Sequence, residues 1–245
     1  MKKRIINILL IVISFLFVQE IYYEIKDFKS AYELSNELEV INPLNSSNLK
    51  SNENKSKTDS LYNNLKTINE DYKFWINIEN TNVNYPVVQT IDNDFYLKNN
   101  FKKIKHKYGA IFIDAHSNFY EDFNTVIYGH NVKKNKMFAD ITKYKNSDFF
   151  NQNNKINIID KNFKYVFEAV SVYTIRGFDD PTYLYNINKS VHQQLGLKEL
   201  ENRSLFNFKK FNDTKKIITL ITCSYEKEDT RTVIHAKLTN KFDLN

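Results

Sequence analysis

The chain has 245 residues, which is enough for one domain of typical size and an accessory segment. Hydrophobic residues make up 42% and charged residues 26%, a composition that fits a globular protein and excludes a disordered one. The net charge is +6, but the lysines are scattered and no arginine-rich tract or nucleic-acid motif occurs. We therefore expect no nucleic-acid partner; the basic balance indicates either a lysine-solvated surface or contact with an anionic membrane or cell wall.

The N-terminus combines basic residues with an apolar run. Three basic residues at positions 2–4 precede the apolar residues 5–18, and extending the run to Tyr23 gives about the 20 residues that a membrane span needs. Residues 18–21 (VQEI) lack the small side chains of a cleavage site, so the pattern favours an uncleaved signal anchor over residues 1–23 rather than a cleaved signal peptide. The positive residues before the span predict a single-pass protein of the cell membrane, with a cytoplasmic N-terminus and an extracellular remainder.

Residues 24–71 are predicted to form juxtamembrane helices and a linker. Apolar groups recur at helical spacing in residues 22–40, residues 42–60 are polar without periodicity, and a second helix is expected from Asp59 or Ser60 to Asp71.

From residue 72 to the C-terminus the pattern indicates a mostly β domain. Its helical exceptions are residues 136–152 and 189–203, and a hairpin turn is expected at residues 160–163. Eight short segments with little helix between them suggest a closed barrel or a sandwich. The predicted strands are residues 74–78, 83–89, 110–114, 124–129, 155–160, 163–174, 216–223 and 231–238.

The single cysteine, Cys223, ends a β-branched run and precedes a polar loop. A strand end can hold a thiol rigidly and still let it reach solvent. Arg231 opens the next predicted strand, so pairing of the two strands would bring it close to Cys223. A nearby cation favours the reactive thiolate, and a histidine could carry protons in acyl transfer. The pattern alone leaves a buried, inert cysteine open as the alternative.

His130 also follows a β-type run and a turn, which makes it the histidine most suited to a shared site. The other four are interpreted as structural. His106 is expected to be solvated, His116 to cap a turn, His192 to lie on a surface helix and His235 to pack within a strand.

Two segments together resemble the sortase family. TLITC (residues 219–223) is similar to the TLxTC signature, with Arg231 at the expected spacing, and NTVIYGHN (residues 124–131) resembles the segment that ends in the family's histidine. Similarity to class B sortases extends over roughly residues 60–240. It includes residues 85–89, 93–97, 109–114 and 137–138 with Tyr144.

The resemblance implies an eight-stranded sortase-type β-barrel with N-terminal helices and a helical insertion between strands six and seven, here residues 175–215. It implies cleavage of a C-terminal sorting signal on secreted proteins through a thioacyl-enzyme. The acyl group is then attached to an amine of peptidoglycan or of its lipid-linked precursor. No metal and no other cofactor are implied. Cys223 would be the nucleophile, His130 the general acid and base, and Arg231 the group that holds the substrate and oxyanion. The implied substrate-binding residues are Asn93, Leu97, Tyr183, Leu184 and Thr222.

Three alternatives compete with a class B sortase. The first is another cysteine enzyme, which the residues disfavour: papain-like enzymes and cell-wall amidases place the cysteine before the histidine in the chain, and L,D-transpeptidase-type enzymes have glycine-rich sequence around the thiol. A non-catalytic surface binding or scaffold barrel of sortase shape is the second alternative. A housekeeping or pilin-type sortase is the third.

Overall fold

The computed structural model describes residues 2–40, 53–132, 136–176, 187–188, 193–207, 209–212, 214–224 and 230–244. The chain divides into two compact units, Met1–Ile41 and Asn42–Asn245. The first unit contains helix α1 (Lys2–Val40). Its segment Ile5–Tyr23 is long and apolar enough to cross a membrane, and it is the one helical segment of this kind among the described residues.

The second unit begins with helix α2 (Glu53–Ile68). This helix starts before the predicted Asp59 or Ser60, so the linker prediction is wrong for residues 53–60, while residues 42–52 lie outside the described part of the chain. Glutamate and lysine at the start of α2 favour helix by intrinsic propensity even without an apolar stripe. The ring of Tyr62 on α2 packs at 5.3 Å from Tyr72 on the first strand, which ties the helix to the sheet.

The rest of the second unit is mostly strand, as predicted. Eight strands close into a barrel in the order β1-β2-β3-β4-β9-β10-β8-β7, and β5 and β6 form a small separate sheet. The strands are β1 (Tyr72–Ile78), β2 (Asn84–Val88), β3 (Ile111–Ile113), β4 (Asn124–Tyr128), β5 (Asn131–Val132), β6 (Lys136–Met137), β7 (Lys155–Ile159), β8 (Phe163–Arg176), β9 (Ile217–Ser224) and β10 (Thr230–Asp243).

Short helices and turns connect the strands. They are α3 (Phe95–Lys98), a 3-10 helix (Ala139–Lys145), α4 (Ser147–Gln152) and α5 (Gln193–Arg203). The predicted helix at 136–152 is therefore wrong as one element, because the Asn146 side chain accepts a hydrogen bond from the Phe149 amide and starts a new helix there. The turn at 160–163 is confirmed, with the Asp160 carboxylate accepting from the amides of Asn162 and Phe163.

The insertion between the sixth and seventh barrel strands in chain order, β8 and β9, contains α5, as the resemblance implied. Leu200 of α5 packs with Val170 and Ile217 on the outer face of the barrel, while Ile218, Leu220 and Ile234 fill its interior. Both faces of β9 are thus covered, which explains its unbroken β-branched and apolar run.

A buried chain of hydrogen bonds crosses four neighbouring strands. Thr219 donates its hydroxyl proton to Asn124 Oδ1 at 2.8 Å, so it accepts from His235 Nδ1 at 2.8 Å, and His235 Nε2 accepts from the Tyr173 hydroxyl at 2.7 Å. His235 is inaccessible to solvent, as its position within a strand predicted. Burial, with a smaller contribution from the Arg203 charge, lowers the pKa of His235 to about 3, so the imidazole is neutral.

Candidate active site

The three predicted catalytic residues meet at one end of the barrel because of the strand directions. Strands β4 and β9 are parallel, so their C-terminal ends lie at the same end of the barrel, and they carry His130 and Cys223. Strand β10 runs antiparallel to β9, and its register sets Arg231 directly opposite Cys223. The structure describes Cys223 by its backbone, which lies one residue before the C-terminal end of β9.

A cleft of about 250 Å³ opens at this end of the barrel. It brings together five of the predicted site residues. Tyr183 and Leu184 lie outside the described residues, so their substrate-binding role stays a prediction. The cleft is lined by Asn93, Leu97, Phe112, Tyr128, Gly129, His130, Ile221, Thr222 and Arg231.

His130 is held through both its backbone and its ring. Its carbonyl accepts from the Phe138 amide at 2.9 Å, and the preceding Gly129 amide donates to the Ile221 carbonyl on β9 at 3.1 Å. A Cβ at Gly129 would lie 2.6 Å from the Phe138 ring, so only glycine permits this approach. The ring Nε2 lies 3.0 Å from the Leu97 carbonyl oxygen, which can only accept. Nε2 therefore carries the proton of the neutral ring, and Nδ1 carries the lone pair.

Asn93 stands at the rim with its amide largely used by the protein. Its Nδ2 donates to the buried Asp114 carboxylate at 2.7 Å, and its Oδ1 accepts from the Ala115 amide at 2.8 Å. These bonds fix the orientation of the amide and, among the described residues, leave one N–H for a substrate.

Thr222 lines the cleft, and its side-chain hydroxyl is buried and unsatisfied among the described residues. The side chain is only 2% exposed, and its hydroxyl has no hydrogen-bond partner among the described residues. The directly opposed Thr232 hydroxyl on β10 is in the same state. Because an unpaired buried hydroxyl carries a desolvation cost, a substrate group that bonds Thr222 would recover that cost on binding.

Four lining residues were not among the predicted site residues. Tyr128 and Ile221 stand two positions before His130 and Cys223, so strand alternation could have found them. Phe112 pairs with Tyr128 across β3 and β4, with ring centroids 5.4 Å apart, and this neighbour relation requires the sheet order. Gly129 lies in the histidine segment, residues 124–131, for which the sequence predicted a role only at His130.

The other described histidines lie away from the cleft lining. His116 was predicted to cap a turn; it lies in a turn, but the capping side chain is that of Asp114, whose Oδ1 accepts from the His116 amide at 2.7 Å. The prediction that His106 is solvated is wrong, because the side chain is buried and its Nδ1 accepts from the Tyr108 amide at 3.2 Å. His192 lies outside the described residues.

Comparison with known proteins places this architecture in a family. The sortase domain model matches residues 76–239. Sortase B of Listeria monocytogenes is 35% identical over 185 residues, covering 72% of this chain and 73% of that protein. Sortase B of Staphylococcus aureus is 29% identical over 243 residues, covering 96% and 95%.

Solved structures agree with the sequence relatives. A mutant form of Clostridium perfringens sortase B superposes with a TM-score of 0.76 at 37% identity, covering 84% of this chain and 96% of that one. A Staphylococcus aureus sortase B–substrate complex has a TM-score of 0.66 at 30% identity, covering 74% and 86%.

The closed barrel, its helical insertion and the cleft at the C-terminal ends of β4 and β9 define a cysteine transpeptidase fold. The chain belongs to the sortase family, and its relatives identify it as a class B sortase.

Proposed function

We propose that Cys223, His130 and Arg231 carry out the transpeptidation, with Thr222, Asn93 and Leu97 contacting the sorting signal. The single observation that supports this assignment is topological. The parallel β4–β9 pair and the register of β10 bring these three chain positions to one end of the barrel, beside a cleft.

In the first half-reaction the Cys223 thiolate attacks the carbonyl carbon before the scissile peptide bond. Arg231 donates hydrogen bonds to the oxyanion that develops. As the C–N bond breaks, the leaving amine takes a proton from the His130 imidazolium, and the acyl group remains on sulfur as a thioester.

In the second half-reaction an acceptor amine attacks the thioester carbonyl. Its nitrogen loses a proton to neutral His130 while the C–S bond breaks, which returns Cys223 to the thiolate and His130 to the imidazolium. Each proton that His130 gives to the leaving amine is thus recovered from the acceptor, and the cycle needs no further reactant.

The family's substrates and the apolar segment of the first unit support a proposal for the acceptor and the location. Sortases act on sorting-signal proteins and peptidoglycan precursors. We propose that the acceptor here is an amine of peptidoglycan or of its lipid-linked precursor. We also propose that residues 1–23 anchor the enzyme in the cell membrane, that residues 24–71 link the anchor to the catalytic domain (72–245), and that this domain faces outward. The Ile5–Tyr23 segment and the basic residues before it support this orientation.

The full chain in detergent, incubated with fluorogenic sorting-signal pentapeptides, tests the proposed function. Hydroxylamine serves as the acceptor amine. We expect cleavage of at least one pentapeptide at a single peptide bond. We also expect a hydroxamate product with hydroxylamine and an acyl adduct on the intact protein by mass spectrometry. Absence of both the adduct and the hydroxamate with every peptide would contradict the proposed function.

Replacing Arg231 by alanine is expected to lower kcat/KM by about 10²–10³-fold, the usual effect of removing one oxyanion donor. Arg231→Lys is expected to recover little of this loss, because an ammonium lacks the planar, bidentate donor geometry of guanidinium. Arg176 is an exposed arginine on β8, paired with Thr230 and outside the cleft lining, so Arg176→Lys is the matched control. Equal losses in both lysine variants would argue against a role specific to Arg231.

Replacing Thr222 by the isosteric valine separates binding from stability. We expect KM to rise roughly tenfold, as loss of one substrate hydrogen bond predicts, while the free energy of unfolding stays equal or rises because a buried unpaired hydroxyl disappears. Thr232→Val removes the hydroxyl that faces Thr222 across the strands and should stabilise without changing KM. A Thr222→Val enzyme with unchanged KM would contradict substrate contact by this hydroxyl.

A further inference from the structure

The backbone carbonyl of Leu97 is the group that holds the His130 ring. The carbonyl oxygen lies 3.0 Å from His130 Nε2. Leu97 belongs to the four-residue helix α3, whose carbonyls lack partners within the helix. The ring N–H therefore supplies the hydrogen bond that this carbonyl needs, and the carbonyl fixes which nitrogen of His130 keeps the proton.

The peptide units on both sides of Leu97 are fixed by a returning backbone segment, residues 106–110. The Tyr96 carbonyl accepts from the Ala110 amide at 2.9 Å, and the Lys98 carbonyl accepts from the His106 amide at 2.8 Å. With its two neighbours bonded to this segment, the Leu97 carbonyl is left directed at His130.

Gly109 permits this close approach. It adopts φ +56°, a conformation that L side chains rarely take, and its amide donates to the His106 carbonyl at 3.0 Å. A Cβ at this position would lie 2.9 Å from the Leu97 carbonyl oxygen and 3.1 Å from its carbon, and closer still to the Tyr96 carbonyl oxygen. These obstacles are backbone atoms, so they could move only by shifting the Leu97 peptide unit.

Helix α3 is also held by the buried side chain of Tyr96. The Tyr96 hydroxyl donates to the Asp71 carboxylate at 2.8 Å and accepts from Asn69 Nδ2 at 2.7 Å. Helix α3 is thus held on its buried side by Tyr96 and on its other side by residues 106–110, which include Gly109. These contacts fix the position of the Leu97 carbonyl.

We propose that Gly109 is a positioning residue that, by holding the Leu97 carbonyl against His130 Nε2, keeps the His130 lone pair on Nδ1 for proton transfer. The proposal rests on the proposed role of His130 in acyl transfer. A carbonyl dipole at Nε2 also stabilises the positive ring that forms when Nδ1 accepts a proton. Misplacement of such a group by about 1 Å can cost about 10²-fold in rate.

Two substitutions at Gly109 separate displacement of the carbonyl from backbone strain. Both Gly109→Ala and Gly109→Asn introduce the obstructing Cβ, but asparagine tolerates positive φ far better than alanine. If carbonyl displacement is the cause, both variants lose about 10–100-fold in kcat for the pentapeptide. A near-normal kcat for Gly109→Asn alone would assign the loss to strain and overturn the proposal.

Two further variants serve as controls. Gly196→Ala makes the same chemical change on α5, where the three atoms nearest to the new Cβ belong to the Ile187 side chain, and should keep kcat within about threefold. Leu97→Ala removes the cleft-facing side chain but keeps the carbonyl, so it should raise KM and still show the Nε2–H tautomer of His130. A tautomer mixture in Leu97→Ala equal to that of the Gly109 variants would contradict a role for the carbonyl.

The closing experiment uses full-length protein in detergent with ¹⁵N-labelled histidine, at a pH where imidazole is neutral, and His130→Gln assigns the signal. We expect the Nε2–H tautomer in the wild type and a tautomer mixture in the Gly109 variants. If those variants fail to fold, His130 methylated on Nδ1, introduced by amber suppression, has no lone pair on Nδ1 and should lower kcat at least tenfold. An Nδ1–H wild type or a fully active Nδ1-methylated enzyme overturns the proposal. A wild type that cleaves no peptide refutes the proposed function instead, since the tautomer measurement does not depend on turnover.

Discussion

Replacement of Cys223 by alanine is expected to abolish turnover of sorting-signal peptides, a loss of at least about 10⁴-fold in kcat. The alanine variant has no atom that can form the acyl-enzyme bond, so hydrogen bonds from Arg231 and proton transfer by His130 have nothing to act on. The backbone of Cys223 pairs with Arg231 in the β9–β10 ladder, and alanine keeps that pairing. The folded protein should therefore remain, without the acyl adduct.

Two companion measurements make the result specific. Cys223→Ser keeps nearly the same shape but replaces the thiol with a hydroxyl of much higher pKa, and it should be equally inactive. Iodoacetamide should inactivate the wild type with one adduct per chain, because the sequence contains one cysteine. Measurable acyl-enzyme formation by Cys223→Ala would refute the nucleophile assignment, and full activity after complete labelling would do the same.

The cysteine and histidine were recognisable from sequence because each ends an apolar run at a turn. Their spatial meeting was not, since it depends on parallel pairing between β4 and β9, which lie about 90 residues apart in the chain. Local pattern gives the ends of strands but not their neighbours. The sortase-like motifs filled that gap, and the comparisons confirmed the barrel that they implied.

The details that fix the site were beyond a sequence argument for physical reasons. The Leu97 carbonyl is a backbone group, which no side-chain pattern can identify as a partner of His130. Asn93 fits a rim position by motif, yet only the fold reveals that Asp114 and Ala115 occupy its amide. The lysines around His106 in the sequence predict a solvated side chain, whereas the turn that buries it forms through its own backbone.

The buried His235 predicts a distinct dependence of stability on pH. Its pKa is about 3 in the folded protein, against about 6.5 for an unfolded histidine, so the unfolded state binds more protons between these values. The stability contributed by neutral His235 is complete above pH 6.5 and is lost as the pH falls toward 3. One proton corresponds to about 1.4 kcal/mol per pH unit, so between pH 7 and 4.5 the loss is about 2–3 kcal/mol.

Urea unfolding of the full chain in detergent, followed by the fluorescence of the single tryptophan, measures this effect. Trp75 is buried on β1, so its emission reports the barrel. His235→Gln cannot titrate. We expect it to be less stable than the wild type at pH 7 by about 1–3 kcal/mol, because the hydrogen bonds to Thr219 and Tyr173 are disturbed. That difference should shrink steadily below pH 6.5.

Tyr173→Phe provides the matched comparison, because it removes the donor to His235 Nε2 while leaving the imidazole buried. It should also lose about 1–3 kcal/mol at pH 7, yet its stability should still fall with acid alongside the wild type. Titration of carboxylates acts on all three proteins alike and cancels in the differences. Parallel curves for wild type and His235→Gln would mean that His235 is not kept neutral by burial. Converging stability curves for wild type and His235→Gln would show that the buried hydrogen bonds of His235 to Thr219 and Tyr173 form only while the imidazole is uncharged.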